Sequence, residues 1–298
     1  MKIVIGSRGS ALALAQSELV KEKLMQYDSS FEVEIKVIST KGDRILDKPL
    51  NQIGDKGLFT KEIEEQLMSG EIDLAVHSMK DMPSVLPAGL TFTKTIEASE
   101  PRDVLVFNGD YKSIDDLPVN AVIGTGSPRR KAQLLKYRSD LKVVGIRGNV
   151  QTRLRKMKEE NMDAIVLAGA GLKRLGDENL IGQYLDYDIM IPASAQGILA
   201  IEVKEGSALI DVFDKIGCEE SCLRMKYERL YLETIGGSCH VPMGSHVNIL
   251  DDGIEIFAMY GDEEGVNIYR HHEYIKEDIE NRIIAIANEL KEKVENNG

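Results

Sequence analysis

Tryptophan is absent from this 298-residue chain, and aromatic residues of every kind make up only 5% of it. Stacking platforms for single-stranded nucleic acid are therefore scarce. Cysteine is nearly as rare: Cys218, Cys222 and Cys239 form an odd, sparse set, which argues against a disulfide framework and fits a reducing compartment. Only 8 prolines interrupt the chain and apolar residues reach 43%, a balance that long disorder does not show. No window comes near the roughly 18 consecutive apolar residues of a membrane span. Positive charge is the minority sign, with 37 Lys and Arg against 49 Asp and Glu and a net charge of −12. Such a surface is not built to coat nucleic acid. Met1-Lys2-Ile3-Val4-Ile5-Gly6 runs straight into a strand pattern without the apolar core of a signal peptide, so the expected location is the cytoplasm.

What the chain does have is alternation of strands and helices. Residues 2–5 read as a buried strand closed by Gly6, followed by a helix that Ser10 caps and that carries Leu12, Ala15, Leu19 and Val20 at helical spacing. Val33, Ile35 and Val37 alternate as in a strand, Lys61 to Met68 is helical, and Ile72 to Val76 is a second buried strand ending at His77-Ser78-Met79-Lys80-Asp81. The stretch from Lys41 to Gly57 reads as a long mobile loop. A similar order returns later, with strand 120–124, helix from Pro128, strand 141–146, helix 150–160 and strand 162–167. The junctions match too: Ile5-Gly6-Ser7 against Ile123-Gly124-Thr125, and Ile72-Asp73-Leu74 against Met162-Asp163-Ala164. From Glu219 a helix runs to Ile235, three alternating strands follow, and an amphipathic helix closes the chain from Glu277 to Val294. The expected fold is α/β: two lobes with mostly parallel sheets, then a small α+β domain with an antiparallel three-stranded sheet. Residues 1–98 and 196–215 are assigned to lobe 1, 99–195 to the basic lobe 2, and 216–298 to the C-terminal domain.

Eleven basic residues fall between Arg129 and Lys158, with Asp140 the only acid among them. Lys136, Lys156 and Lys158 read as a solvated helix face. Arg129, Arg130 and Arg147 differ because they stand where strands run into helices, and Arg8 stands at the matching junction of the first lobe. Free N–H groups and the positive helix end favour anions there, and arginine suits a two-pronged grip on carboxylate or phosphate. Ligands of open α/β sheets bind beyond the carboxyl ends of the strands, so a multiply charged anion is expected in a cleft shared by the lobes. Phosphate-loop and dinucleotide fingerprints are both missing, and Gly169-Ala170-Gly171 is a weak substitute. A ligand with several carboxylates fits better than a nucleotide.

Cys218 and Cys222, four residues apart on one helix, read as packing residues, and no metal site is expected. Cys239 stands in Gly236-Gly237-Ser238-Cys239-His240-Val241-Pro242 just beyond a helix, a turn where a sulfur is open to chemistry. Sequence physics alone leaves it open between a reactive and a structural thiol. Lys80-Asp81 ends a strand, where α/β enzymes place catalytic groups, although an adjacent Lys and Asp is ordinarily a surface pair of little worth. His77 reads as a satisfied structural residue, and His271-His272 as solvent-facing.

Nine segments, taken in order, resemble the hydroxymethylbilane synthase (porphobilinogen deaminase) family. They are Ser7-Arg8-Gly9-Ser10-Ala11-Leu12-Ala13-Leu14, Lys41-Gly42-Asp43, Gly57-Leu58-Phe59, Val76-His77-Ser78-Met79-Lys80-Asp81, Arg129-Arg130, Arg147-Gly148-Asn149-Val150, Gly171-Leu172-Lys173-Arg174-Leu175, Gln196-Gly197 and Cys239-x-Val241-Pro242. Each is weak alone; in this order they are highly specific. The tail beyond Gly244 matches only in general pattern.

The resemblance implies a cytoplasmic, monomeric transferase of porphyrin (heme) biosynthesis, with two periplasmic-binding-protein-like lobes. It implies a dipyrromethane cofactor joined to Cys239 by a thioether, on which four porphobilinogen units condense with loss of ammonia before hydrolytic release of hydroxymethylbilane. By the same analogy Lys80, Asp81, Thr125, Ser127, Arg129 and Arg130 hold the cofactor, while Arg8, Ser10, Gln16, Arg147, Arg153 and Arg174 receive substrate. Asp81 is the carboxylate expected to stabilise the cationic azafulvene left when ammonia departs, and Lys56 and Phe59 belong to a candidate lid. Each pyrrole brings an acetate and a propionate, which accounts for arginines gathered in an acidic protein. Three positions depart from the family pattern: His240 replaces Gln, Ser238 replaces Gly, and Ala193-Ser194-Ala195 replaces a more glycine-rich run. Two rival readings are a two-lobed solute-binding module without chemistry and a nucleic-acid binder using Arg129–Lys158. Neither accounts for Cys239, and the second is opposed by the acidic remainder. No nucleic acid or membrane partner is expected.

Overall fold

A computed structural model of the chain describes residues 1–44, 60–83, 85–236 and 241–296. In chain order the elements are β1 (Lys2–Ser7), α1 (Ala11–Tyr27), β2 (Glu32–Val37), the single turn α2 (Lys41–Arg44), α3 (Lys61–Ser69), β3 (Leu74–Ser78) and β4 (Leu90–Phe92). Next come β5 (Asp103–Phe107), β6 (Val122–Gly124), α4 (Pro128–Tyr137), β7 (Lys142–Val144), α5 (Val150–Glu159), β8 (Ala164–Ala168), α6 (Gly169–Leu175) and β9 (Gln183–Tyr184). The last are β10 (Leu199–Lys204), α7 (Leu209–Ile216), α8 (Glu219–Ile235), β11 (Met243–Leu250), β12 (Gly253–Gly261), β13 (Ile268–Ile275) and α9 (Ile279–Glu295). The loop expected from Lys41 to Gly57 thus opens with a helical turn, and its remainder from 45 on lies outside the described residues.

Packing divides the chain into two compact units, one formed by Met1–Ala98 with Ile198–Cys222 and the other by Ser99–Gly197 with Leu223–Gly298. The sheet of the first unit has the order β2-β1-β3-β10-β4. Strand β1 is parallel to β2 and β3, whereas β10 runs antiparallel between β3 and β4. Val20 and Leu24 of α1 and Phe213 of α7 cover one face with Ile3, Ile5, Val76 and Ile201. Ile63 and Leu67 of α3 cover the other with Ile72 and Ala75. A sheet buried on both faces needs apolar residues at successive positions, and Leu74-Ala75-Val76 supplies them.

The second unit repeats the plan. Its five-stranded sheet has the order β7-β6-β8-β5-β9, with β6 parallel to β7 and β8 and with β5 antiparallel to β8 and β9. Two paired details show how deep the repeat goes. The Asp73 carboxylate accepts the N–H of Val4 at 2.7 Å, and Asp163 accepts that of Val122 at 2.7 Å. A Cβ on Gly6 would lie 2.3 Å from Ile72 Cδ1, and one on Gly124 would lie 2.7 Å from Met162 Sδ. In each half the residue before the aspartate packs where the strand's glycine leaves room, so glycine here is a requirement of close approach.

This unit also holds the antiparallel sheet β11-β12-β13. Tyr231 and Ile235 of α8 and Ile283, Ile286 and Leu290 of α9 bury its inner face with Val247, Ile256 and Ala258. Buried Tyr231 places its hydroxyl on Met259 O at 3.0 Å, which satisfies a polar group that would otherwise be costly to bury. The fold is the expected α/β pair plus a small α+β part. His271 is half-buried and bonded to Glu273, a correction to its solvent-facing assignment, whereas His272 is exposed. No helix among the described residues is long and apolar enough to cross a membrane.

Candidate anion-binding site

In the first unit the candidate residues collect at the carboxyl ends of the neighbouring strands β1 and β3. Arg8 follows β1, and Ser10 caps α1 by accepting the N–H of Ala13 at 3.3 Å. Buried Gln16, on the second turn of α1, donates from Nε2 to Ser78 Oγ at 2.9 Å. The helix is thereby tied to the strand end that leads into Met79–Asp81, a 3-10 turn. Met79 is buried, its N–H held by Ile198 O at 3.0 Å, while Lys80 is half-buried and Asp81 exposed. His77 meets buried Glu202 of β10 at 3.1 Å, the satisfied structural role its neighbours in sequence suggested.

In the second unit the ends of β6, β7 and β8 carry the rest. After Gly124, the N–H of Thr125 donates to Val144 O at 2.8 Å and its Oγ1 accepts the N–H of Ser127 at 3.2 Å. Ser127 caps α4 by accepting the N–H of Arg130 at 3.4 Å, and Pro128 opens the first turn, as the cap and proline preferences of helix starts require. That turn delivers Arg129 and Arg130, both buried. Arg147 precedes α5, whose cap Asn149 accepts the N–H of Thr152 at 2.9 Å, and Arg153 Nε donates to Gly148 O at 2.7 Å.

Asp103, the first residue of β5, is what the sequence reading missed. Its Oδ2 accepts Arg129 Nη1 at 2.6 Å, and its Oδ1 accepts Arg130 Nε at 3.1 Å, Arg130 Nη2 at 2.7 Å and Gln196 Nε2 at 3.0 Å. Arg129 Nη1 also reaches Ile191 O at 2.6 Å, and Arg130 Nη1 reaches Val166 O at 2.9 Å. Burial alone would push the Asp103 carboxyl up, but the two guanidinium groups outweigh it and hold it well below the usual carboxylate range. Two cations and one anion leave the trio with a net charge of +1. The signal in the sequence was an acid directly before the apolar run Val104–Phe107, since two buried arginines need a counter-charge.

Arg174, in the last turn of α6, has a different environment. Among the described residues its one hydrogen bond runs from Nη2 to Gly197 O, and no carboxylate pairs with it. Burial pulls its guanidinium down to about 10. A half-buried cation without a counter-ion among the described residues favours any anion that reaches it. Cys239, Ser238, His240, Lys56 and Phe59 lie outside the described residues. Cys218 and Cys222 are half-buried free thiols, and burial raises the Cys222 thiol above its ordinary value.

A dipyrromethane carries four carboxylates, and the donor set here fits such a group: buried guanidiniums in net excess, and hydroxyls at strand ends. The comparisons point the same way. The family model described as porphobilinogen deaminase, dipyromethane cofactor binding domain, matches residues 3–211. A porphobilinogen deaminase of Clostridioides difficile (strain 630) is 50% identical over 269 residues, spanning 90% of this chain and 89% of that one. One of Clostridium novyi (strain NT) is 51% identical over 276 residues, spanning 91% of each. Among solved structures, the periplasmic VFT2 domain of Bordetella pertussis BvgS is 16% identical with a TM-score of 0.41, covering 76% of this chain and 92% of that one, a loose likeness only. With the family model matched over 209 residues and half of the aligned positions shared with these relatives, the chain belongs to the porphobilinogen deaminase family.

Proposed function

We propose that this chain is a hydroxymethylbilane synthase that uses the arginines of its strand ends to hold the carboxylates of a growing pyrrole chain. In each cycle the C–N bond of a porphobilinogen aminomethyl group breaks and ammonia leaves. A C–C bond forms to the free pyrrole α-carbon, which loses its proton. After four cycles water releases the linear hydroxymethylbilane. Dipyrromethane, bound through Cys239, supplies the pyrrole carbon on which the first unit is placed.

Arg174 carries this reading. A half-buried guanidinium with no carboxylate partner among the described residues suits an anion, and each porphobilinogen presents two. Arg147, just before α5, and Arg153, in its first turns, join it as substrate contacts. Thr125, Ser127, Arg129 and Arg130 serve the cofactor, the two arginines as a fixed +1 centre oriented by Asp103. In the first unit Arg8, Ser10 and Gln16 receive substrate and Lys80 meets a cofactor carboxylate. Asp81 holds its negative charge against the cation that develops as ammonia departs. Residues 1–98 with 196–215, 99–195 and 216–298 act as lobe 1, lobe 2 and a C-terminal domain; each has a main apolar core, and a smaller cluster of Ala132, Ile191, Met259 and Ile268 joins the last two. The enzyme works in the cytoplasm as a monomer, without nucleic acid.

Intact mass of the purified chain, before and after Cys239→Ser, tests the proposal together with an aldehyde colour test for pyrroles. The parent should exceed its sequence mass by a two-pyrrole adduct, give colour, and release ammonia from porphobilinogen; Cys239→Ser should do none of these. A parent at its bare sequence mass that leaves porphobilinogen untouched sinks the proposal.

A further inference from the structure

The dipeptide Gln196-Gly197 takes no part in the chemistry above, yet three arginine systems of the second unit converge on it. The fully buried Gln196 amide donates to Pro101 O at 2.7 Å and to Asp103 Oδ1 at 3.0 Å. Its carbonyl accepts Arg224 Nη2, and Arg224 Nε in turn donates to buried Glu228 at 2.8 Å. Glu228 also accepts the N–H of Ala195, which has a left-handed φ of 61°. The Gly197 carbonyl accepts Arg174 Nη2. Gly197 itself has φ 89°, and a Cβ there would lie 2.4 Å from Ser99 O, so no other residue lets the two backbones pass this closely.

We infer that Gln196-Gly197 is a positioning element that aims the carboxylate-binding arginines: Arg129 and Arg130 through Asp103, and Arg174 through the Gly197 carbonyl. The inference rests on the proposed role of those arginines. Asp103 can orient two guanidinium groups only if its own rotamer is fixed, and the Gln196 amide is the neutral donor that fixes it. A cationic donor would overcharge the trio, and an anion would cancel its +1. The amide is therefore a chemical choice as well as a spacer. Arg224 and Glu228 of α8 hold the backbone that presents it.

The test uses the adduct-bearing enzyme with Gln196→Met, which keeps length and loses the donor, and Gln196→Glu, which adds a charge facing Asp103, Arg129 and Arg130. Both should keep the adduct by intact mass. The KM for porphobilinogen should rise roughly tenfold in Gln196→Met, the scale of one buried hydrogen bond to a charged group, with kcat within about threefold. Gln196→Glu should be worse at high pH and recover toward the parent as pH falls. Its buried carboxyl, raised by Asp103 and Glu228 and lowered by Arg129, Arg130 and Arg224, then takes up a proton and again donates. An active parent whose variants lose only thermal stability, with KM and its pH profile unchanged, overturns the inference. Failure of both variants to fold overturns it too, in favour of a purely structural residue. A parent without adduct or turnover refutes the underlying function instead.

Discussion

Arg130 places two nitrogens on the same oxygen of Asp103, at 3.1 and 2.7 Å, and so leaves the other oxygen to Arg129. This unequal sharing lets one buried carboxylate serve two cations. Asp103→Asn should cost about 3–5 kcal/mol, as removal of one partner from a buried ion pair does. The Asp103 carboxyl is held below its ordinary value, so its contribution is complete above the unfolded pKa near 4 and is lost as pH falls through the lower folded one. Acid unfolding followed by circular dichroism should therefore show a shallower pH dependence below pH 4 in Asp103→Asn than in the parent. Equal slopes would mean that Asp103 is not ionised in the folded protein.

For Arg174, stability and activity should part company. Its half-buried guanidinium has no carboxylate partner among the described residues and is pulled down to about 10 by desolvation. Arg174→Met removes an uncompensated charge and should stabilise the ligand-free chain by on the order of 1 kcal/mol, while raising KM for porphobilinogen at least about tenfold. Thermal melting and steady-state kinetics on one preparation check both signs. A variant that melts lower shows that the guanidinium is compensated in the folded chain.

The twin aspartates offer a cleaner measurement. Asp73 and Asp163 each accept a strand N–H at 2.7 Å in separate units. Asp73→Ala and Asp163→Ala should each cost about 1–3 kcal/mol, the half-buried Asp163 more than the exposed Asp73. With no shared partners their effects should add within about 0.5 kcal/mol. Urea unfolding of the two single variants and the double variant measures this directly.

Asp81 is exposed at the end of its 3-10 turn, so Asp81→Asn should leave folding intact while removing the charge. Turnover should fall by about 10²-fold or more, the scale of losing one preorganised electrostatic group, with the adduct still present by mass. Near-normal turnover would refute the role given to this carboxylate.

Elements defined by local signals were legible in the sequence. Helix α8 spans Glu219–Ile235 as its periodicity indicates, and α5 ends one residue before the expected 160. Ser10 and Ser127 cap α1 and α4, and the glycine junctions mark where β1 and β6 enter crowded sheet interiors. Strands β4, β5, β9 and β10 escaped notice because their identity depends on partners far away in sequence. Glu202 inside β10 and Asp103 at the start of β5 put a charge in a buried strand, which disguises it. The site was legible as a list of arginines, since residue type and junction position are local. Their aim was not, because it depends on Asp103 and Gln196, which reach them only through the folded backbone.

The placement of β10 between β3 and β4 has a consequence for birth on the ribosome. Strands β3 and β4 are made about a hundred residues before the strand that joins them, while the strands from β5 to β9 follow one another without interruption. The nascent amino-terminal half must wait with two unpaired edges, which are prone to mispairing, until the later half has already been able to pair its own sheet. The part synthesised first is thus the part completed last.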